Sequence, residues 1–351
     1  MTKLLFDCRA IFDSGIGSYT REVLIRLTKY ASVTVIVSES DIENFRKLDI
    51  SVESTIVVKF GRFSWRNVLF IKRHLSDKDF FFSPTFLMFY DRKKMLVTIH
   101  DVCLLDCRSF FSIKAVASFS ILVALNVFFS RHVFTISEFS KNRILHFFKG
   151  LNEDRVSVFY NGRKSFFHEI DLLDSEEIIN RLSLRKNEYY ISVGNIKPHK
   201  NFRNLCEYWE TRKVEKPLVI VGSSEGLRTK EVLSSFHNVI FTGYVTDEDL
   251  AFLYSNALGF IYPSFYEGFG LPLLEAMEFG LPIAASDIPV FHELAGDLIY
   301  YFDPHDFENL ELFLSKVKVD LNYHEVLSKF SWDDTVENIL KVIDSEGSPS
   351  K

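Results

Sequence analysis

Glu267 and Glu275, with seven residues between them, bracket the string Gly268-Phe269-Gly270-Leu271-Pro272. This string follows an apolar run, residues 258–262, that reads as a buried strand. Pro272 suits the first position of a helix, where a missing N–H costs nothing, and Gly280 suits the residue just past its end. The order is therefore strand, glycine loop and helix N-terminus, which turns backbone N–H groups and the positive end of a helix dipole toward an anion. Gly268 and Gly270 remove side chains that would hold a phosphate away. A phosphate cradle flanked by carboxylates suits a nucleotide-sugar: N–H groups for the diphosphate, carboxylates for the hydroxyls of ribose and hexose. For Glu275 the competing reading is a plain dipole partner in a first helical turn. Glu267 lies in the loop and has no helix to stabilise.

A second constellation is Val193-Gly194-Asn195-Ile196-Lys197-Pro198-His199-Lys200, directly after another apolar run. It reads either as a solvated charge run or as a lysine cluster that neutralises a diphosphate, charge-assisted hydrogen bonds being the strong ones. Three further segments stand near strand ends. Asp13-Ser14-Gly15-Ile16-Gly17-Ser18 reads as a loop between the first strand and first helix, with Ser18 as a candidate cap, or as a simple tight turn. Thr98-Ile99-His100-Asp101 ends a strand, and Thr242-Gly243-Tyr244-Val245 ends another. Ser137, before the run from Glu138, reads as an N-cap.

The string Ser264 to Met277 resembles the signature of the retaining family 4 glycosyltransferases, including their two spaced glutamates around Gly-Phe-Gly-Leu-Pro. The resemblance extends over nearly the whole chain, strongest from Gly194 to Gly296 and loosest over 41–91. It implies an α/β protein of the GT-B fold: two Rossmann-like, doubly wound parallel-sheet domains facing across a cleft, with a C-terminal helix crossing back to the first. It implies catalytic roles for Glu267, holding the hexose, and His100, beside the transferred sugar. Donor-binding roles fall on Gly15, Gly17, Asn195, Lys197, Lys200, Gly268, Phe269, Gly270 and Leu271 around the diphosphate. Glu275 takes the ribose, and Tyr244 and Val245 the base. The family's usual phosphate-binding arginine is Asn195 here, so Lys197 or Arg203 must supply its charge if anything does. No Asp-x-Asp stands at a strand end, and no metal or other cofactor is expected.

The elements that must position these residues follow from periodicity. Strands are expected at 3–8, 33–38, 80–83, 95–100, 133–137 and 156–160, and again at 189–193, 218–221, 239–242, 259–262 and 282–285. Helices are expected at 18–30, 65–75, 112–130, 138–149, 174–183 and 335–343. Strands alternating with helices call for parallel sheets covered on both faces. The polar turn 161–165 separates the two series, which sets domains at 1–165 (acceptor side) and 166–330 (nucleotide-sugar side), with 331–351 as the returning helix and a frayed tail.

Composition agrees. The 351 residues suffice for two cores, and 47% hydrophobic with 25% charged residues is ordinary for a globular chain. A net charge of −6 gives no reason to expect nucleic acid. Four cysteines without paired C-x-x-C spacing suggest reduced thiols and a cytoplasmic location. No h-region for a signal peptide opens the chain. The apolar stretch 115–129 is shorter than the roughly 20 residues a span requires, and reads as a core helix. Segment 59–73 interleaves Lys59, Arg62, Arg66, Lys72 and Arg73 with Phe60, Phe63, Trp65 and Phe70. It reads either as an ordinary amphipathic helix or as a contact with anionic headgroups on the inner membrane face.

The expected activity is transfer of a hexose, with mannose on GDP as first choice, to a hydroxyl of a lipid-linked glycan in surface polysaccharide (O-antigen or capsule) synthesis. The alternatives are a nucleotide-dependent oxidoreductase using the first glycine segment, and a non-catalytic membrane-associated scaffold of the same fold.

Overall fold

The structure, a computed structural model, describes residues 1–163, 176–223, 236–316 and 322–346. Residues 164–165 of the expected linker, 174–175 of the expected helix and the tail from 347 lie outside these. The chain divides into two compact units, Met1–Gly162 with Phe330–Lys351, and Arg163–Lys329.

The first unit is a seven-stranded parallel sheet in the order β3-β2-β1-β4-β5-β6-β7. Its strands are β1 (Lys3–Asp7), β2 (Ser32–Ser38), β3 (Ser54–Val58), β4 (Phe80–Ser83), β5 (Met95–Thr98), β6 (His132–Thr135) and β7 (Val156–Val158). β4, β5 and β6 are buried at every position, as a parallel strand covered on both faces must be. β3 escaped the sequence reading because it is an edge strand with mostly exposed or half-buried positions. On one face Leu5, Phe81, Val97 and Val133 pack against Ile71 of helix Arg66–His74 and against Phe119, Val123 and Val127 of helix Ile113–Phe129. That second helix is the apolar stretch tested above for a membrane span. Its Asn126 is fully buried, donating to the carbonyls of Leu87 at 2.9 Å and Leu122 at 2.8 Å. Among the described residues no helix is long and apolar enough to cross a membrane.

The first helix corrects the sequence reading. It runs Ser14–Leu27, so Gly15 and Gly17 lie inside its first turns rather than in a loop before it. Ser18 is no cap, since its hydroxyl bonds back to the Ser14 carbonyl. Asp13 holds the N-cap position, and its carboxylate receives Arg62 at 2.7 Å instead of capping the helix. Gly17 packs so tightly that a Cβ would stand 2.7 Å from the Ile11 carbonyl oxygen, whereas Gly15 faces open space.

The last helix, Trp332–Glu346, belongs to this first unit. Trp332, Val336, Ile339 and Ile343 are buried. Arg26 reaches Asp333 at 2.7 Å, and the Thr335 hydroxyl donates to the Tyr160 carbonyl at 2.5 Å. A Cβ on Gly162 would lie 2.3 Å from the Trp332 backbone nitrogen. Overpacking of this kind typically costs about 1–3 kcal/mol. Gly162→Ala should therefore lower the unfolding free energy from urea titration by that order, and an unchanged value would mean the returning segment is not packed as described.

The second unit is a six-stranded parallel sheet in the order β10-β9-β8-β11-β12-β13. Its strands are β8 (Tyr190–Val193), β9 (Leu218–Val221), β10 (Val239–Gly243), β11 (Gly259–Tyr262), β12 (Ile283–Ser286) and β13 (Tyr300–Phe302), the last not expected from sequence. Tyr190, Leu218, Ile220, Ile261 and Ala284 meet Phe202, Leu205 and Trp209 of helix Phe202–Arg212, together with Phe307 and Phe313.

Candidate active site

In the second unit the strand order reverses between β8 and β11. In open α/β sheets the loops leaving the carboxyl ends of such a pair diverge and leave room for a ligand. The loop after β8 carries the lysine motif and the loop after β11 carries the glutamate–glycine motif, so topology alone makes them neighbours. The Phe265 N–H donates to the His199 carbonyl at 2.8 Å and stitches the two loops together.

Lys200 ends a 3-10 turn, Pro198–Lys200, whose next residue, Asn201, is left-handed (φ 60°) and fixed by a 2.7 Å bond to the Pro304 carbonyl. This aims the Lys200 side chain at Glu267, where Nζ donates to Oε1 at 2.6 Å. The Ser264 hydroxyl donates to the same oxygen at 2.6 Å. The Glu267 side chain is only 11% exposed. Burial pushes its carboxyl up, but Lys200 and Ser264 more than reverse this and hold it below the ordinary value. The ammonium also lies 5.5 Å from the centre of the Tyr262 ring, which stacks on Phe291 of helix Pro289–Ala295 at 4.8 Å. Burial, then Glu267 and more weakly Glu275, push the Tyr262 phenol well above its normal value, so it stays neutral between two carboxylates.

Helix Leu271–Glu278 starts one residue earlier than expected, with Pro272 second. Gly270 precedes it at φ 140°, a conformation closed to side chains, and a Cβ there would press on Phe291 at 3.2 Å. The helix ends as expected at Gly280 (φ 64°), with Gly280 N–H on Met277 and Leu281 N–H on Ala276. Gly268, Phe269 and Gly270 are buried and Leu271 half-buried at this terminus. Glu275 lies on the same helix, nearly buried, and accepts from the Tyr254 hydroxyl at 3.2 Å.

The remaining second-unit candidates sit around the sheet's carboxyl edge. Asn195 is half-buried beside Gly194, and Lys197 is exposed at the N-cap of the 3-10 turn. Arg203 does not replace the missing arginine, because it points along its own helix to Glu207 at 2.9 Å. Tyr244 is 85% exposed just beyond β10, with Val245 buried beside it and Thr246 capping the helix Asp247–Ser255.

Gly15, Gly17 and His100 belong to the first unit. His100 Nε2 lies 2.8 Å from the Pro84 carbonyl, which assigns the proton to Nε2 and leaves Nδ1 as acceptor. Tyr19 packs edge-on against the imidazole at 4.9 Å and is itself held by Thr98 at 2.9 Å. Burial lowers the His100 pKa to about 4. Asp101 serves the loop, accepting from the Cys103 N–H at 2.8 Å. Ser137 caps the helix Glu138–Phe147 through the Ser140 N–H at 3.0 Å. Sequence reasoning assigned no role to Ser264, Tyr262 or Pro84. Ser264 carried a signal in its three-residue spacing from Glu267, whereas the other two depend on contacts made by folding.

Residues 174–346 match the family described as glycosyl transferases group 1. This segment, which holds the Lys200–Glu267 pair, belongs to that family, and the protein is a glycosyltransferase of the GT-B fold. O-antigen chain mannosyltransferase B of Escherichia coli is 26% identical over 275 residues, covering 73% of this chain and 72% of that protein. O-antigen chain mannosyltransferase RfbU of Salmonella typhimurium is 29% identical over 228 residues, covering 61% of this chain and 58% of that protein. A crystal structure of HepE from Anabaena in complex with UDP and glucose superposes with a TM-score of 0.77 at 18% identity, over 98% of this chain and 100% of that one.

Two histidines, one in each unit, give the protein's stability a pH signature. His199 is lowered to about 4 by burial and then by Lys200, as His100 is by burial. A histidine kept neutral in the fold stabilises fully above its unfolded value of 6.5, and that contribution is lost as pH falls through the folded value near 4. Urea unfolding should therefore show stability falling from pH 6.5 toward 4, less steeply in a His100→Asn/His199→Asn variant. Equal slopes would mean the imidazoles are not held neutral.

Proposed function

We propose that the protein is a retaining hexosyltransferase that moves a sugar from a nucleoside-diphosphate donor to a hydroxyl of a lipid-linked glycan in surface polysaccharide synthesis of the O-antigen type. The observation that carries this reading is the Lys200 ammonium. It has three N–H donors, makes one hydrogen bond among the described residues, and that bond goes to Glu267, three residues before the Gly270 N-cap of helix Leu271–Glu278. A departing diphosphate is the anion such a position suits, and preorganised charge of this kind is the largest single contribution in many enzymes. Mannose on GDP is the first donor to test, because the named relatives are mannosyltransferases.

In this reading Glu267 holds hexose hydroxyls and stabilises positive charge developing at the sugar C1. Glu275 takes the ribose with the oxygen that Tyr254 leaves, and Tyr244 with Val245 borders the base. The neutral His100 accepts a hydrogen bond from the sugar at Nδ1. Gly15, in open space, lets backbone approach the ligand, while Gly17 serves the packing of its own helix. For retention, the acceptor oxygen attacks C1 on the face the diphosphate leaves, and the acceptor proton passes to the leaving phosphate oxygen. Lys200 and the helix terminus supply the positive charge, so no divalent metal is needed. The protein works at the inner face of the cytoplasmic membrane, where a lipid-linked acceptor is found.

Incubation with a panel of GDP-, UDP- and dTDP-sugars and measurement of the released nucleotide test the assignment. Glu267→Gln should cut turnover about 10²–10³-fold, the size of losing one preorganised transition-state contact, while GDP binding by calorimetry stays largely intact. Lys200→Ala should weaken nucleoside diphosphate far more than nucleoside. Equal loss of both, or full turnover in Glu267→Gln, overturns these roles. Turnover should also persist in excess chelator, and abolition rescued by an added divalent ion would overturn the metal-free reading.

A further inference from the structure

We propose that one helical layer of the first unit is a docking surface for an anionic phospholipid bilayer, formed jointly by helices Arg66–His74 and Ile113–Phe129. This deepens the inner-membrane placement above by naming the surface. Both helices cover the same face of the sheet, since Ile71 and Phe119 enter one core cluster. An aromatic chain links them: Phe63 lies 5.6 Å from Phe86, and Phe86 lies 5.1 Å from Phe119.

The outward side of this layer is apolar where solvent should favour charge. Trp65 is 68% exposed, Leu69 70%, Ile113 88% and Ile121 62%. At the end of the second helix Phe129 is also exposed and packs on the exposed Tyr90, with the Arg92 guanidinium over the Phe129 ring at 4.9 Å. A monomeric surface rarely leaves apolar side chains grouped this way without a partner.

Charge identifies the partner. The chain carries 47 acids in 351 residues, yet residues 54–76 and 107–137 contain none. These two runs hold the two helices. Exposed Arg66, Lys72, Arg73 and Lys114 make no ion pair among the described residues, so a protein of net charge −6 presents here an uncompensated basic, aromatic face. Large apolar side chains ringed by lysine and arginine fit the boundary between acyl chains and anionic headgroups, where tryptophan and tyrosine also accumulate. A polyanionic glycan would use the charges but leave Leu69, Ile113 and Ile121 in water.

Sedimentation of the full chain with vesicles tests this. The wild type should pellet with vesicles containing phosphatidylglycerol and remain in solution with phosphatidylcholine alone. Leu69→Ser/Ile121→Ser and Lys72→Glu/Arg73→Glu should each lower the partition coefficient on the order of tenfold. All four side chains are exposed, so the thermal midpoint and its upward shift with nucleotide should be retained, which reports an intact fold. A wild type that stays in solution with phosphatidylglycerol vesicles, or variants that pellet as well as it does, overturns the proposal. No donor or acceptor is present in the vesicle assay. Failure there with the nucleotide shift intact removes the docking surface alone, whereas loss of nucleotide response and turnover removes the transferase reading alone.

Discussion

The 2.6 Å contact between Lys200 and Glu267 is the interaction on which the site depends. Each partner is buried enough that it would be costly alone, and removing one partner of such a pair costs about 3–5 kcal/mol. The pair adds little net stability, because desolvating two charges offsets most of their attraction. Its effect is on position. With Ser264 on the same oxygen and Tyr262 beneath the ammonium, a cation and a carboxylate are held side by side by the fold itself. That is the arrangement a reaction needs when a diphosphate leaves one side of a sugar carbon and positive charge grows on that carbon.

The rest of the second unit sustains this contact. Fixed ends are needed because a flexible lysine carries considerable rotamer entropy. The left-handed Asn201 and the Phe265–His199 backbone bond determine where the two loops meet. Gly222 is required behind them, since a Cβ there would stand 2.0 Å from the Gly194 carbonyl oxygen. Helix Pro289–Ala295 supports Tyr262 through Phe291, whose ring stacks on it at 4.8 Å.

The first unit uses a different device, a buried polar clamp. Arg9 grips Asp7 with two bonds of 2.8 Å and reaches the Asn67 amide oxygen at 2.8 Å. The Asn67 amide nitrogen in turn spans the carbonyls of Gly61, Arg62 and Ser64. Together with Arg62 on Asp13, this ties the loop before helix Arg66–His74 to the start of the first helix. The exposed aromatics Phe63 and Trp65 therefore project from a loop fixed by buried hydrogen bonds, so their exposure to water is imposed by the fold.

By itself the sequence determined much of the second unit. The strand, glycine loop and helix around Glu267 are local features, written in Gly270, Pro272 and Gly280 by what each residue's backbone permits, and the buried parallel strands announce themselves as continuous apolar runs. It misplaced the start of the first helix, since two glycines read as a loop until Gly17 is seen to bring the helix against the Ile11 carbonyl. It missed β3, whose side chains do not alternate cleanly, and it offered Arg203 as a phosphate ligand before Glu207 was seen to claim it. Only the tertiary structure decided that Lys200 and Glu267, 67 residues apart, share one hydrogen bond. Only it turned the two acid-free runs to the same face of one sheet. Both depend on which strands become neighbours, and that is settled by burial summed over the whole sheet, which no local spacing records.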